Sequence, residues 1–274
     1  MRYRQVLRDA GPCTLAHDRH EGPLRVLQPL YPEGPAICHQ VIVHPPGGVV
    51  GGDELHIDAR LEAGAHALVT TPGATRFYRS DGAVALQRVR LQLAAGARLE
   101  WLPLETIAYS GCEAETSLVA ELAPGAEMIG WELLVLGLPA AGAPFVAGRW
   151  RQHLELPGRW LDRARIAGDD TALLDAPAGW AGRRVLGTAW FAAGGPLAGA
   201  RRDALLEAAR DVLAASALRA TAGMTAPQPG VLVLRLLAHE AEAEAAMQLL
   251  AAVRAAWRAG AWALAAEPPR IWRT

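Results

Sequence analysis

Apolar and polar residues alternate along much of the first 190 residues, and four of the alternating segments turn on a glycine. In three of them a leucine and two further residues precede the glycine, in the fourth Leu156 and Pro157 precede it, and the alternation resumes beyond each glycine. These glycines stand roughly thirty residues apart, at Gly64, Gly96, Gly125 and Gly158. A period of two is typical of half-buried strands, and glycine suits a tight turn with positive φ. The pattern therefore predicts four β-hairpins.

A unit of this size cannot bury its own apolar face. We therefore expect successive units to stack into a mainly β body, either a β-helix-like solenoid or a layered sandwich. Four unrelated hairpins within an ordinary β-sandwich are the alternative. On either interpretation the β body covers about residues 1–198.

The periodicity changes to that of helices after Gly199. Residues 200–218 carry one apolar stripe at helical spacing, and residues 239–260 carry a second. The second segment has an acidic start, a basic end at Arg254 and Arg258, and Gly260 as its predicted stop. Val231–Leu237 between them is a predicted buried strand. We expect one domain with two α-helices near the carboxyl end, in which helices decorate residues 199–260 and a tail covers 261–274.

The charged residues exclude several classes of chemistry. The 27 basic residues are all arginine and stand against 28 acidic ones, for a net charge of -1. Without lysine the chain has no P-loop lysine, no Schiff-base lysine and no kinase strand lysine. The near-neutral charge, with no arginine-dense stretch, argues against a nucleic-acid partner.

Compartment and membrane contact follow from the cysteines and the apolar runs. Cys13, Cys38 and Cys112 are an odd number without a CxxC pair, which suits a reducing cytosol. The charged amino-terminal segment does not resemble a signal peptide, and the longest uncharged stretch, 133–148, is too short to span a bilayer. We expect a cytoplasmic protein with no membrane partner.

A glycine motif, HPPGGVVGGDELH, occupies residues 44–56. Its two glycine pairs are followed directly by Asp53. The dinucleotide fingerprint GxGxxG and a P-loop are both absent, so a structural turn that places Asp53 is favoured over a nucleotide site. The glycines of this motif are Gly47, Gly48, Gly51 and Gly52.

Five blocks of the sequence resemble the UreD (also UreH) family of urease accessory proteins, and they stand in the family's order across nearly the whole chain. The blocks are GGVVGGD (47–53), TTPGATRFYRS (70–80), LEWLPLETIAYSG (99–111), WELLVLG (131–137) and PRIWRT (269–274). Two local departures are Leu138, where the family often has arginine, and Pro72-Gly73, where it often has Gln-Ala.

The resemblance implies a chaperone and not an enzyme. Such proteins are cytoplasmic, have a largely β fold that is often β-helical, and bind apo-urease. With UreF and UreG they help to deliver nickel to the urease active site, and a tunnel through the UreD-like protein is thought to carry the metal. The resemblance thus implies transient nickel, no tightly bound cofactor, and partners UreF, UreG and apo-urease; a dimer formed through UreF is compatible with it.

Nickel accepts carboxylate oxygen, and a transfer path should bind the ion weakly at several points. Acidic residues within apolar sequence are therefore the candidate nickel path, because a carboxylate rarely enters a core without a role or a partner. We prefer them to His39 and His44. For each, a structural role is the alternative: bracing a turn, pairing with an arginine, or pointing outward from a strand. The candidates are Asp53, Glu105, Glu132 and Asp162.

Arg76, Tyr78 and Arg79 form a polar and aromatic patch that is a candidate partner surface, since Arg and Tyr are enriched in interface hot spots. An ordinary strand edge is the alternative. Trp272 is expected to pin the carboxyl-terminal tail to the body.

Two other functions remain open. One is a metal-dependent β-fold hydrolase that uses Asp53, Glu105 and Glu132. The other is a docking protein that never contacts nickel.

Overall fold

The computed structural model of the chain describes residues 1–138 and 141–273. The strands are β1 Arg2–Asp9, β2 Thr14–Glu21, β3 Arg25–Val26, β4 Ile37–Val43, β5 Glu54–Leu61, β6 His66–Thr70, β7 Thr75–Phe77, β8 Ala85–Leu93, β9 Arg98–Leu102, β10 Thr106–Ala108, β11 Glu113–Leu122, β12 Glu127–Leu138, β13 Ala143–Pro144, β14 Arg149–Leu156, β15 Trp160–Ala167, β16 Val185–Ala193, β17 Ala222–Gln228 and β18 Val231–Ala238. The α-helices are α1 Thr171–Leu174, α2 Gly199–Ala214 and α3 Ala243–Trp262, and 3-10 turns cover Glu240–Glu242 and Arg270–Arg273.

Two sheets carry the fold. The first has the strand order β15-β14-β11-β8-β5-β1-β2, and the second has the order β17-β18-β16-β12-β9-β6-β4-β3. Strands β10 and β13 pair with β12 outside this order, and β7 pairs with β10. Strands β1, β5, β8, β11 and β14 pair in parallel in the first sheet, as do β4, β6, β9 and β12 in the second. Successive units therefore stack in register, which confirms the predicted β-helix-like arrangement.

Three of the four predicted hairpins are wrong. The turns at Gly64, Gly96 and Gly125 each lead from a strand of the first sheet into a strand of the second, so the two arms of a turn do not pair. These glycines have φ between +70° and +79°, and the corners stack: a Cβ on Gly96 would lie 3.9 Å from the Gly64 amide nitrogen. The turn at Gly158 is a true hairpin, because β14 and β15 pair antiparallel. Alternation reveals a buried face but not the strand that pairs with it.

The space between the two sheets holds one part of the core, which includes Trp150, Trp190 and Phe77. The outer face of the second sheet holds the other part, where α2 and α3 bury Leu205 and Trp257 against it. Each large apolar side chain buried in this way contributes about 1.5–3 kcal/mol. The first sheet thus has a covered inner face and an outer face of mostly polar residues.

The helical region agrees with the predicted periodicity, with corrections at its ends. Helix α3 continues past Gly260 to Trp262, and Ala263 ends it in the left-handed conformation at φ 53°. Strand β18 was predicted, whereas its antiparallel partner β17 and the short helix α1 were not. Within the described residues, no helix has the length and apolar character needed to cross a membrane.

A buried ionic cluster joins α3 to the second sheet. Arg254 Nε lies 2.5 Å from one carboxylate oxygen of Glu100, and Arg258 Nε lies 3.2 Å from the other. Arg258 also binds Glu33, which accepts a second contact from His39 at 2.8 Å. Burial would raise the pKa of Glu100, but the neighbouring His66 and the two guanidinium groups lower it to about 2. The arginines therefore pair with buried acids, and are not free charges at a helix end.

The tail is held against the second sheet, as predicted for Trp272. The Trp272 indole donates a hydrogen bond to Thr70 Oγ1 at 2.9 Å, and its ring lies 5.6 Å from that of Trp131. Arg254 and Arg258 donate to the carbonyls of Glu267 and Ala265. The tail and α3 are consequently fixed by the same two arginines.

Candidate functional site

A cavity of about 240 Å³ lies between the two sheets. Its inner wall is formed by buried residues such as Leu55, Trp101 and Trp150, which face each other across the sheets. Its mouth is marked by the exposed lining residues Gly47, Pro72, Gly73 and Arg76. Concave, mainly apolar spaces with a few polar groups are where proteins most often hold small ligands.

Three polar side chains line the cavity from the first sheet. Gln87, Thr116 and Gln152 are direct neighbours on β8, β11 and β14. Thr116 and Gln152 are each 6% exposed, and Thr116 Oγ1 has no hydrogen-bond partner among the described residues. This row was not among the residues predicted from sequence. A usable signal existed, because each residue occupies a position where the alternation requires an apolar side chain.

Glu132 supplies the carboxyl group of the cavity. It lies on the inner face of β12, between Gly130 and Leu134, so the alternative in which it points outward is wrong. No hydrogen bond or ion pair to its carboxylate is found within the described parts of the chain. Burial, and to a smaller extent the negative charge of Asp162, raise the pKa of Glu132 to about 8. The group therefore carries a proton at neutral pH until a cation displaces it.

The other candidate acids occupy different surroundings. Asp53 braces its own turn, since its carboxylate accepts a hydrogen bond from the Val50 amide at 3.1 Å. Glu105 is partly buried and does not line the cavity. Asp162 forms an ion pair with Arg235, which is 73 residues away in the chain, so the structural alternative of pairing with an arginine holds for this acid. Of the other three, Asp162 is the acid whose negative charge acts on Glu132.

The glycine motif forms part of the mouth. Gly47 and Gly48 line the cavity, and Asp53 follows in the same turn. A Cβ on Gly48 would lie 2.1 Å from a ring carbon of Tyr78, so only glycine lets that ring pack here. Gly51 and Gly52 continue the turn, with Gly51 against the Ser80 hydroxyl.

The predicted partner residues are exposed beside the same mouth. Arg76 lines the cavity, and Tyr78 packs with Tyr109 at 5.1 Å between ring centres. Arg79 is also exposed, as are the nearby apolar side chains Val50 and Val146. These residues share one rim of the molecule.

No group of three or more His, Cys, Asp or Glu side chains is close enough to hold a metal ion in the described ranges. A caged metal site is therefore not present among those residues. Asp53, Glu105 and Glu132 do not converge on one such centre, which the hydrolase hypothesis requires. A lone carboxyl with amide and hydroxyl oxygens suits a weakly held, hydrated divalent cation better.

Comparison with known proteins shows the family to which the chain belongs. Residues 2–273 match the family described as UreD urease accessory protein. The chain belongs to the UreD family. It is 63% identical over 261 residues to the urease accessory protein UreD of Leptothrix cholodnii, covering 95% of this chain and 93% of that protein. It is 59% identical over 259 residues to the UreD protein of Polaromonas naphthalenivorans, covering 94% and 93%.

Four of the five blocks that carry the resemblance to UreD contribute to the cavity. They supply Gly47 and Gly48, the segment 70–76, Trp101 with Pro103, and Glu132. The fifth block carries Trp272, which bonds to the cavity residue Thr70. In this UreD-family chain, motifs far apart in sequence thus surround a single interior space.

Proposed function

We propose that this chain serves urease maturation as a scaffold and a nickel conduit, binding apo-urease and acting with UreF and UreG. The observation that carries the proposal is the cavity itself, in which Glu132, the one carboxyl among the described lining residues, shares the space with Gln87, Thr116 and Gln152 of the opposite sheet. Membership of the UreD family supports the maturation role. Nickel is the cargo here and not a resident cofactor.

The chemistry of the lining favours transit over storage. Glu132 offers one carboxylate, and the amide and hydroxyl groups offer neutral oxygens that complete the shell of a partly hydrated ion. Nickel binding at Glu132 displaces its proton, so the ion is held more weakly than by a carboxylate that is already ionised. Weak holding lets the ion leave again. The exposed rim of Arg76, Tyr78 and Arg79 is the surface we assign to partner binding.

Co-expression tests the proposal. Apo-urease, UreF and UreG are expressed with and without this chain, and the nickel content and activity of purified urease are measured. We expect both to fall when the chain is omitted and to recover when it returns. Normal nickel content without the chain would contradict a maturation role.

A matched pair of acids tests the conduit. Glu132→Ala should lower the nickel content of urease, whereas Glu105→Ala, which changes a partly buried acid outside the cavity, should not. Copurification of urease with each variant shows whether the complexes remain intact. Equal nickel content for both variants in intact complexes would leave a docking protein that never contacts nickel.

The rim is tested separately. Arg79→Ala should reduce copurification of the partner proteins while leaving the folded chain intact, because Arg79 is exposed. Arg60→Ala, an exposed arginine on the first sheet, is the control. Equal copurification with both variants would place the partner surface elsewhere.

A further inference from the structure

A polar row crosses the inner face of the second sheet beyond the cavity. Glu132 on β12 pairs directly with Thr188 on β16, which pairs directly with Arg235 on β18. Side chains of directly paired residues point to the same face, so all three point between the sheets. Thr188 is 1% exposed, and its hydroxyl has no partner among the described residues. The row is thus an extension of the polar side of the cavity.

The row ends at an ion pair beside the β15 edge of the first sheet. Arg235 binds Asp162, which lies on β15, the edge strand of the first sheet. The Arg235 side chain is 41% exposed and that of Asp162 18%, so the pair spans from the interior to solvent. The cavity lining includes Glu132 and Gln152 but none of Thr188, Asp162 and Arg235. In the strand orders β15 lies one strand beyond the Gln152 strand β14, and β18 lies two strands beyond the Glu132 strand β12, so the ion pair is displaced from the cavity towards the edge of the sheets.

We propose that the Asp162–Arg235 ion pair is a latch that closes the far end of the cavity, and that its opening connects Glu132 to solvent between β15 and β18. As a second exit for nickel, this inference rests on the proposed conduit. While closed, the guanidinium occupies the Asp162 carboxylate and repels a divalent cation. Once Arg235 swings outward, Asp162 becomes the next carboxylate after Glu132.

The chemistry of the pair suits a latch. A partly exposed ion pair contributes little to stability, so it opens readily, in contrast to the fully buried Glu100–Arg254 pair. The Asp162 charge already acts on Glu132, since it is one cause of that group's raised pKa. A cation at Glu132 would in turn attract Asp162 and weaken its hold on Arg235.

Thiol labelling measures the opening without nickel or urease. Thr188→Cys places a thiol of similar size in the row, and its reaction with methyl methanethiosulfonate is followed by peptide mass spectrometry. The native buried Cys38 and Cys112 report global unfolding in the same sample. We expect Arg235→Gln to raise labelling at the Thr188→Cys position about three- to fivefold relative to Cys38 and Cys112, and Arg235→Lys to change it by less than about twofold.

A charge swap separates the ion pair from the individual side chains. The double change Asp162→Arg with Arg235→Asp should return labelling towards the rate of the unaltered pair, because additivity fails for residues in contact. A labelling ratio that Arg235→Gln leaves unchanged, or a swap that labels as fast as the single variant, would overturn the latch. The conduit fails by a different result, namely normal nickel content of urease with Glu132→Ala, so the two ideas are judged separately.

Discussion

Replacing Glu132 by glutamine should remove a pH-dependent loss of stability. Burial and Asp162 raise the pKa of Glu132 from the ordinary 4.5 to about 8. Between those values the unfolded chain has released this proton and the folded chain retains it, so the free energy of unfolding falls as the pH rises. Above pH 8 the loss is complete. Below pH 4.5 both states are protonated and Glu132 contributes no pH dependence.

The magnitude follows from the two pKa values. At about 1.36 kcal/mol per unit, the interval from 4.5 to about 8 corresponds to about 5 kcal/mol as an upper bound. The carboxyl faces a cavity that water can enter, and we therefore expect about 2–3 kcal/mol. At each pH we compare the free energy of unfolding of Glu132→Gln with that of the unaltered chain. The advantage of the variant should be larger at pH 9 than at pH 5 by that amount.

Urea unfolding followed by tryptophan fluorescence at pH 5 and pH 9 measures this difference, since the chain has nine tryptophans. Comparing the variant with the unaltered chain at the same pH cancels the contributions of the other titrating groups to the free energy of unfolding. Glu105→Gln is the control, because that acid lies outside the cavity. Free energies of unfolding that fall in parallel for the unaltered chain and Glu132→Gln would show that Glu132 ionises freely, and the reasoning would be refuted.

Three further perturbations address packing and charge. Glu100→Gln should lower the free energy of unfolding by about 3–5 kcal/mol, because the buried Arg254 loses its carboxylate partner and Arg258 retains only Glu33. Denaturant unfolding measures this cost, and a value below about 1 kcal/mol would contradict the cluster's importance. Gly48→Ala should lower the free energy of unfolding by about 1 kcal/mol, because the new Cβ displaces the Tyr78 ring. Gly73→Ala, with nothing within 4 Å of the new Cβ, should leave the thermal unfolding midpoint unchanged, and equal midpoints for the two variants would argue against the close packing at Gly48. Trp272→Ala should speed amide hydrogen exchange in the tail without affecting exchange in the first sheet. Unchanged exchange in the tail would show that the Trp272 ring does not hold the tail in place.

The alternation of apolar and polar residues predicted where strands lie but not which strands pair. Period-two alternation located β5, β8 and β11, the strands before Gly64, Gly96 and Gly125, because only one face of each is buried. The strands after these glycines, β6, β9 and β12, are buried on both faces and read as apolar runs. The same alternation is compatible with a hairpin or with a solenoid corner. In a hairpin the hydrogen-bond partner of a strand lies across the turn, whereas in a solenoid it lies about thirty residues away in the next unit. Only the tertiary structure distinguishes Gly158, where the hairpin is real.

The candidate site shows the same division. Glu132 could be selected from sequence because a carboxylate in the most apolar stretch of the chain must be accounted for. Its neighbours Gln87, Thr116 and Gln152 come from three separate units and meet only through parallel stacking. Their polarity was visible in the sequence, but their convergence on one cavity was not.

Charge partners were decided by the tertiary structure alone. The basic residues Arg254 and Arg258 suited a helix terminus in sequence, yet they pair with Glu100 and Glu33, acids far away in the chain. Sequence by itself determined which segments have buried faces, the family and the absence of lysine chemistry, because these depend on local order and composition. Coulomb attraction depends on distance in space, and that distance is set by stacking of sheets and helices that no local pattern records.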